Sequence, residues 1–184
     1  MAEANLTTQQ LAELHVHLEG TIRHATAVAL SAQNRLPAPP AYQYSDLSGF
    51  LTVYGQVSRC MVTSQDFERV IFEHGQVMAS QHITYAEISF NPSLHPAGGW
   101  IDGLVRGRNS LAREFGIEIA WLVELVRGGS TADNERAIAL YERVGFKREG
   151  LLRDAVLLDG RYMDMILMAL INRPPDHPGG PASQ

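Results

Sequence analysis

The stretch IEIAWLVELV, residues 117–126, is almost unbroken in its apolar side chains and is closed by Arg127-Gly128-Gly129. A run this short and this apolar reads as a strand, and one without polar alternation suits a parallel sheet covered on both faces. Parallel neighbours need long crossovers, and the sequence supplies them. Residues 100–115 have helical spacing and end at Gly116, a left-handed C-cap signal. ITYAEISF, residues 83–90, is a second strand, stopped by Pro92. LAELHVHLE is a third, ending at Gly20, and TIRHATAVALSAQ after it is a helix with Thr21 as its expected cap. A proline-rich loop, NRLPAPPAYQYS, and a helical stretch, DLSGFLTVYGQVSRCMV, follow. Thr63 then caps a helix whose Phe67, Val70, Ile71, His74 and Met78 share one face. This β-α-β-α-β succession predicts a parallel α/β architecture.

The style changes after Val126. RGGSTAD reads as a linker or turn, and NERAIALYERVGF as a short helix burying Ala137, Ile138, Leu140, Tyr141 and Val144. GLLRDAVLL and RYMDMILMAL flank Asp159-Gly160, a strong hairpin signal. The expected fold class is α/β: about three parallel strands of partial (βα) barrel type, continued by a helix and an antiparallel β-hairpin. Five strands with helices on both faces would be a compact solution. The tail NRPPDHPGGPASQ is Pro/Gly-rich, and residues 172–184 are expected to be disordered.

Charge and composition narrow the partners. The 184 residues are 45 % hydrophobic, enough for a sizeable core, and carry a formal charge of −5. With no basic run, nucleic acid and anionic membranes are not expected partners. No apolar run approaches the roughly 18 residues of a membrane span, and the polar N-terminus lacks a signal-type core. Cys60 is the only cysteine, which excludes an internal disulfide and makes a reducing, cytoplasmic setting the expectation.

The chemistry-bearing feature is AELHVHLEG, residues 12–20. In a regular strand His15 and His17 face one side and Val16 the other. Two imidazoles at a strand's C-terminal end are placed to grip zinc or another first-row divalent metal, but a catalytic zinc usually takes three protein ligands and a water. On spacing alone such a pair is more often structural than metal-binding. Among the other histidines, His95 follows the second strand and is expected at the same end of the sheet. His74 reads as a packed or half-exposed helix residue, His82 as a strand boundary and His24 as a first-turn residue, while His177 lies in the tail.

The longer string LAELHVHLEGTI resembles the first-strand signature of the adenosine deaminase family, within the metal-dependent amidohydrolases. The likeness continues through FLTVYGQVSRCMVTSQDFERVIFE and ITYAEISFNPSLH to about Val126. It implies a (β/α)8 barrel, zinc held by His15 and His17, a purine nucleoside as the small-molecule partner, Glu19 touching its sugar, and Gly20 letting the chain turn. The family also requires a HAGE-like strand end, a GHG-like strand end and paired aspartates, and none of these occurs here. The EHG at Glu73–Gly75 lies inside a helical stretch. A (β/α)8 barrel takes about 250 residues.

Residues 131–170 resemble the C-terminal part of a GCN5-related N-acetyltransferase, on the pattern N-E-R-A-I-x-L-Y-x-x-x-G-F and the hairpin after it. That likeness implies Asn134 near acetyl-CoA and Tyr141 as the acid that protonates the leaving thiolate. The glycine-rich turn that cradles the pyrophosphate in that family is missing. Asn134 or Asp133 reads equally as a helix cap, and Tyr141 as a core aromatic.

Together the two likenesses suggest a deaminase-like unit over 1–128 and an acetyltransferase-like unit over 129–171, joined as a chimera. The expected function is that of a truncated or chimeric deaminase-lineage protein that holds zinc without full catalytic activity. The alternatives are an acetyl-CoA-dependent acetyltransferase remnant and a recombined scaffold without enzymatic function. Open sheet edges would favour a homo-oligomer.

Overall fold

The structure is a computed structural model and describes residues 10–95, 99–126, 131–158 and 161–170. The chain enters on β1 (Leu11–His17) and passes through helices α1 (His24–Gln33), α2 (Leu47–Ser58) and α3 (Ser64–Ser80). It returns as β2 (Ile83–Phe90), parallel to β1. Helix α4 (Trp100–Phe115) crosses to β3 (Glu118–Val126), which is parallel to β2. Helix α5 (Thr131–Arg143) then leads to β4 (Lys147–Leu158) and β5 (Arg161–Leu170). The sheet order is β1-β2-β3-β5-β4: β5 slots between β3 and β4 and runs antiparallel to both. The expected class, three parallel strands continued by a helix and an antiparallel pair, is the one observed.

Several elements form for the reasons the sequence gives. Thr63 accepts the Asp66 N–H at the start of α3, and the Asp66 carboxylate reaches back to the Thr63 N–H at 2.8 Å, a reciprocal capping box. Gly116 closes α4 at φ 67°, where a side chain would be strained. Other details differ. Thr21 does not cap α1; it sits in a 3₁₀ turn (Leu18–Thr21) and its hydroxyl donates to the Leu18 carbonyl at 2.8 Å, so α1 starts only at His24. Leu140 on α5 is 39 % exposed rather than core, whereas Ile138 and Tyr141 are buried.

Helices α3 and α4 pack closely because glycines remove side chains from the seam. A Cβ at Gly75 would stand 1.8 Å from Leu111 Cδ2, and one at Gly103 would stand 2.6 Å from the Ser64 carbonyl oxygen. The large buried side chains of the sheet fall on one face. Ile88, Phe90, Ile119, Trp121 and Val123 alternate along β2 and β3 and are buried. On the opposite face Tyr85 and Glu87 are half-buried and Glu118 is exposed. Among the described residues, only the smaller Ser89, Ala120 and Ala169 are buried on that opposite face. Phe67 of α3 and Trp100 of α4 meet Phe90, and Tyr141 of α5 meets Trp100. The expectation of helices on both faces is therefore corrected: the large buried side chains and these helices share one face.

The linker at 127–130, the Asp159-Gly160 turn, the tail 172–184 and His177 lie outside the described residues. Among the described residues no helix is long and apolar enough to cross a membrane.

Candidate functional site

Strand β1 is not regular where its histidines sit. Glu13 pairs with Ala86 and Val16 with Ile88, so β1 spends three steps against two in β2. The extra residue makes a bulge, and His15 takes up its strain at φ 62°. Paired residues share a sheet face. Glu13 and Val16 thus lie with Ala86 and Ile88 on the helix-covered face, and His17 lies with Ser89 on the other. The simple alternation expected for His15 and His17 fails at the bulge. Their rings still come together, centroids 5.4 Å apart and edge to face. Both line an open cleft of about 640 Å³ at the edge of β1, shared with Glu13, His74, Asn91 and Tyr54.

Glu19 follows in the 3₁₀ turn, its side chain wholly buried. Its Oε1 accepts the Asn91 N–H at 3.1 Å and lies 3.2 Å from His95 Nε2, while Oε2 accepts the Tyr54 hydroxyl at 3.1 Å. His95 in turn stacks on Phe90 and meets Phe67 edge-on. One carboxylate therefore ties the end of β1 to α2 and to the turn after β2. Three protein donors thus hold this carboxylate in place beside the cleft. His95 lies near the strand ends as expected, but it is held by Glu19. Gly20 has an ordinary φ, and a Cβ there would meet nothing within 4 Å, so neither the turn nor crowding demands glycine.

His74 and Glu13 form the other polar pair of the cleft. His74 Nε2 lies 3.3 Å from Glu13 Oε2, out of line for a hydrogen bond. Burial holds the His74 imidazole below its ordinary value of 6.5, and Glu13 opposes that shift. The sequence reading placed His74 on a packed helix face and missed its partner. It also missed Tyr54 and Asn91, whose roles depend on contacts 35 and 72 residues away along the chain.

Zinc was implied by the histidine pair, and the donor set tests that. His15 and His17 offer two imidazoles at one mouth. No three His, Cys, Asp or Glu side chains among the described residues converge as a metal site. His95 is engaged by Glu19 and His74 faces Glu13. Among the described residues the cleft therefore offers two imidazoles, fewer than the three protein ligands a catalytic zinc takes.

At the other end of the chain, Tyr141 is buried, with Trp100 at 5.4 Å and Phe146 at 6.1 Å between ring centroids. Burial pushes its hydroxyl up to about 12, which makes it a weaker acid than a free tyrosine. Asn134 falls in the first turn of α5, and its side chain lies outside the described ones.

Comparison with known proteins places this cleft in context. Residues 10–151 match the adenosine deaminase family, a span that runs past Val126 through α5 into β4. An adenine deaminase from Chlorobium luteolum is 33 % identical over 150 residues, covering 74 % of this chain and 43 % of that protein. An uncharacterized deaminase from Schizosaccharomyces pombe is 32 % identical over 140 residues, covering 69 % of this chain and 41 % of its own length. The chain thus spans about two fifths of these curated relatives. Among solved structures, adenine deaminase from Arthrobacter aurescens superimposes with a TM-score of 0.63 at 21 % identity, over 71 % of this chain and 45 % of that one. A zinc-bound amidohydrolase from Burkholderia ambifaria gives 0.53 at 27 % identity, over 61 % of this chain and 34 % of that one.

Proposed function

This chain belongs to the adenosine deaminase family, and we propose that it carries the family's metal-gripping first strand without the groups that complete the chemistry. The observation that supports this is the pairing of the His15 and His17 rings at one mouth of the cleft. Two imidazoles with water in the remaining positions would hold zinc weakly. Polarising a water and orienting it on a purine ring needs further ligands and a general acid/base, and the HAGE-like, GHG-like and Asp-Asp elements do not occur in the sequence. The purine class of partner rests on the deaminase relatives.

The test is zinc content after chelation and add-back, with deamination of adenine and adenosine followed by absorbance. The parent chain should retain zinc that the His15→Ala/His17→Ala variant loses, and neither should turn over substrate above background. Equal zinc in parent and variant would remove the metal reading. Measurable turnover would remove the claim of incompleteness.

A second reading concerns residues 131–170, as an acetyltransferase-like unit fused after residue 128. The observation that favours it is the change of topology: a crossover helix followed by two strands, the second inserted antiparallel beside β3. The family match that continues to residue 151 and the burial of Tyr141 weigh against it. No shift in melting temperature with millimolar acetyl-CoA would end this reading. Self-association is a further proposal, supported by the open edge of β1, where Leu14 is 60 % exposed.

A further inference from the structure

The two histidines of the cleft lie on an edge strand. β1 pairs with β2 on one side and ends the sheet on the other. His15 is exposed, His17 is half-buried, and Leu14 beside them is 60 % exposed, so the edge is open to another molecule. Among the described residues neither imidazole has a hydrogen-bond partner, which leaves the ring nitrogens free for a ligand. The spacing of the rings suits one ion. Two imidazoles on a single tetrahedral zinc, each nitrogen about 2 Å from the metal, have centroids about 5 Å apart. The rings of His15 and His17 stand 5.4 Å apart.

The chain's other histidines near the cleft do not extend this pair. His74 Nε2 is buried 3.3 Å from Glu13, and His95 is held 3.2 Å from Glu19 and stacked on Phe90. Among the described residues no third side chain joins the two imidazoles as a metal site. A tetrahedral zinc takes four donors, so two positions fall to water or to another molecule. A second copy of the chain carries the same two rings at the same open edge. A two-fold axis through the ion would supply four nitrogens from one surface patch, the self-complementary form that most protein dimers take. The bulge explains why the metal is needed. His15 at φ 62° and the register shift between Glu13 and Val16 interrupt the even ladder on which edge-to-edge pairing depends. Each chain also carries a formal charge of −5, so two copies repel, and a dication at their contact offsets part of that repulsion.

We propose that two copies of this chain share one zinc ion across their β1 edges, His15 and His17 of each copy giving two of its four nitrogens. The proposal rests on the reading that this pair grips zinc, and adds the partner and the stoichiometry. The experiment is sedimentation equilibrium of the metal-free full chain with zinc titrated in, bound zinc being measured on the same samples. Binding is expected to saturate at half an equivalent of zinc per chain as the mass doubles. The dimer dissociation constant should fall at least about tenfold against chelated protein, since zinc binds the pair and not the separated chains with four donors. Chelation should restore the metal-free mass. The His15→Ala/His17→Ala variant should keep the metal-free mass with zinc present, and a thermal melt matching that of the parent shows it folded. One zinc per chain at unchanged mass would overturn the shared site and leave the zinc reading intact. No bound zinc would overturn both. A doubled mass that zinc does not change, or zinc-driven doubling that persists in the double variant, would also overturn the proposal.

Discussion

Replacing Glu19 by alanine takes the acceptor from three donors at once. Asn91 N–H and His95 Nε2 lie 3.1 and 3.2 Å from Oε1, and the Tyr54 hydroxyl lies 3.1 Å from Oε2. Hydrogen bonds to a charged group contribute about 1.5–3 kcal/mol each, and a buried donor left without a partner costs about 1–3 kcal/mol. Tyr54 is half-buried, so its hydroxyl can turn to water and recover part of its share. His95 is buried against Phe90 and Phe67 and has no such recourse. Relief of the desolvated charge offsets some of the loss. The net expectation is a destabilisation of about 3–4 kcal/mol, a large share of the roughly 5–15 kcal/mol that holds an ordinary domain together. Glu19→Gln keeps the shape and one acceptor oxygen for Asn91 and His95, and the Tyr54 hydroxyl can reverse to accept from the amide. It should cost only about 1 kcal/mol. Urea unfolding reads both, followed by the fluorescence of Trp100 and Trp121, which are buried. An alanine variant within about 1 kcal/mol of the parent, at unchanged m-value, would refute the anchoring role and leave Glu19 as a residue held ready for a ligand.

Three further outcomes follow from the same structure. Gly103→Ala gains about 1 kcal/mol of helix propensity but drives its Cβ to 2.6 Å from the Ser64 carbonyl oxygen, a backbone atom that cannot swing aside; thermal melts should show a net loss of about 1–3 kcal/mol. Cys60 is 1 % exposed, and burial together with Asp66 pushes its thiol up to about 12, so a disulfide reagent should label it only at the rate of unfolding; rapid labelling of the native chain would contradict this. His74 has its pKa lowered by burial, with Glu13 pulling it up and Arg23 adding to the depression. The unfolded chain therefore binds the proton more readily, and the contribution of neutral His74 is present above about pH 6.5 and lost as pH falls below it; His74→Gln should flatten urea stability between about pH 7 and 5.

Much of the path through this fold is written locally. The strand ITYAEISF occupies Ile83–Phe90 as its pattern predicts, since apolar period and Pro92 bound it from within. The Thr63 capping box and the Gly116 cap are likewise settled by residues within a turn of each other. The His15-Val16-His17 string marks the family-matched region for the same reason, being contiguous. What the sequence cannot settle alone is set by partners far along the chain. A ladder shared with β2 puts the extra residue of β1 at His15, which removes the simple two-residue alternation. Packing between distant segments decides that Glu19 is an anchor among Tyr54, Asn91 and His95. Strand order belongs to the same class: either strand of the C-terminal pair could have bordered β3, and only the assembled sheet puts β5 there. Local periodicity and capping depend on neighbours within a few residues and survive in any context. Register, burial of charge and strand order are properties of contacts that exist only once the whole chain has closed around them.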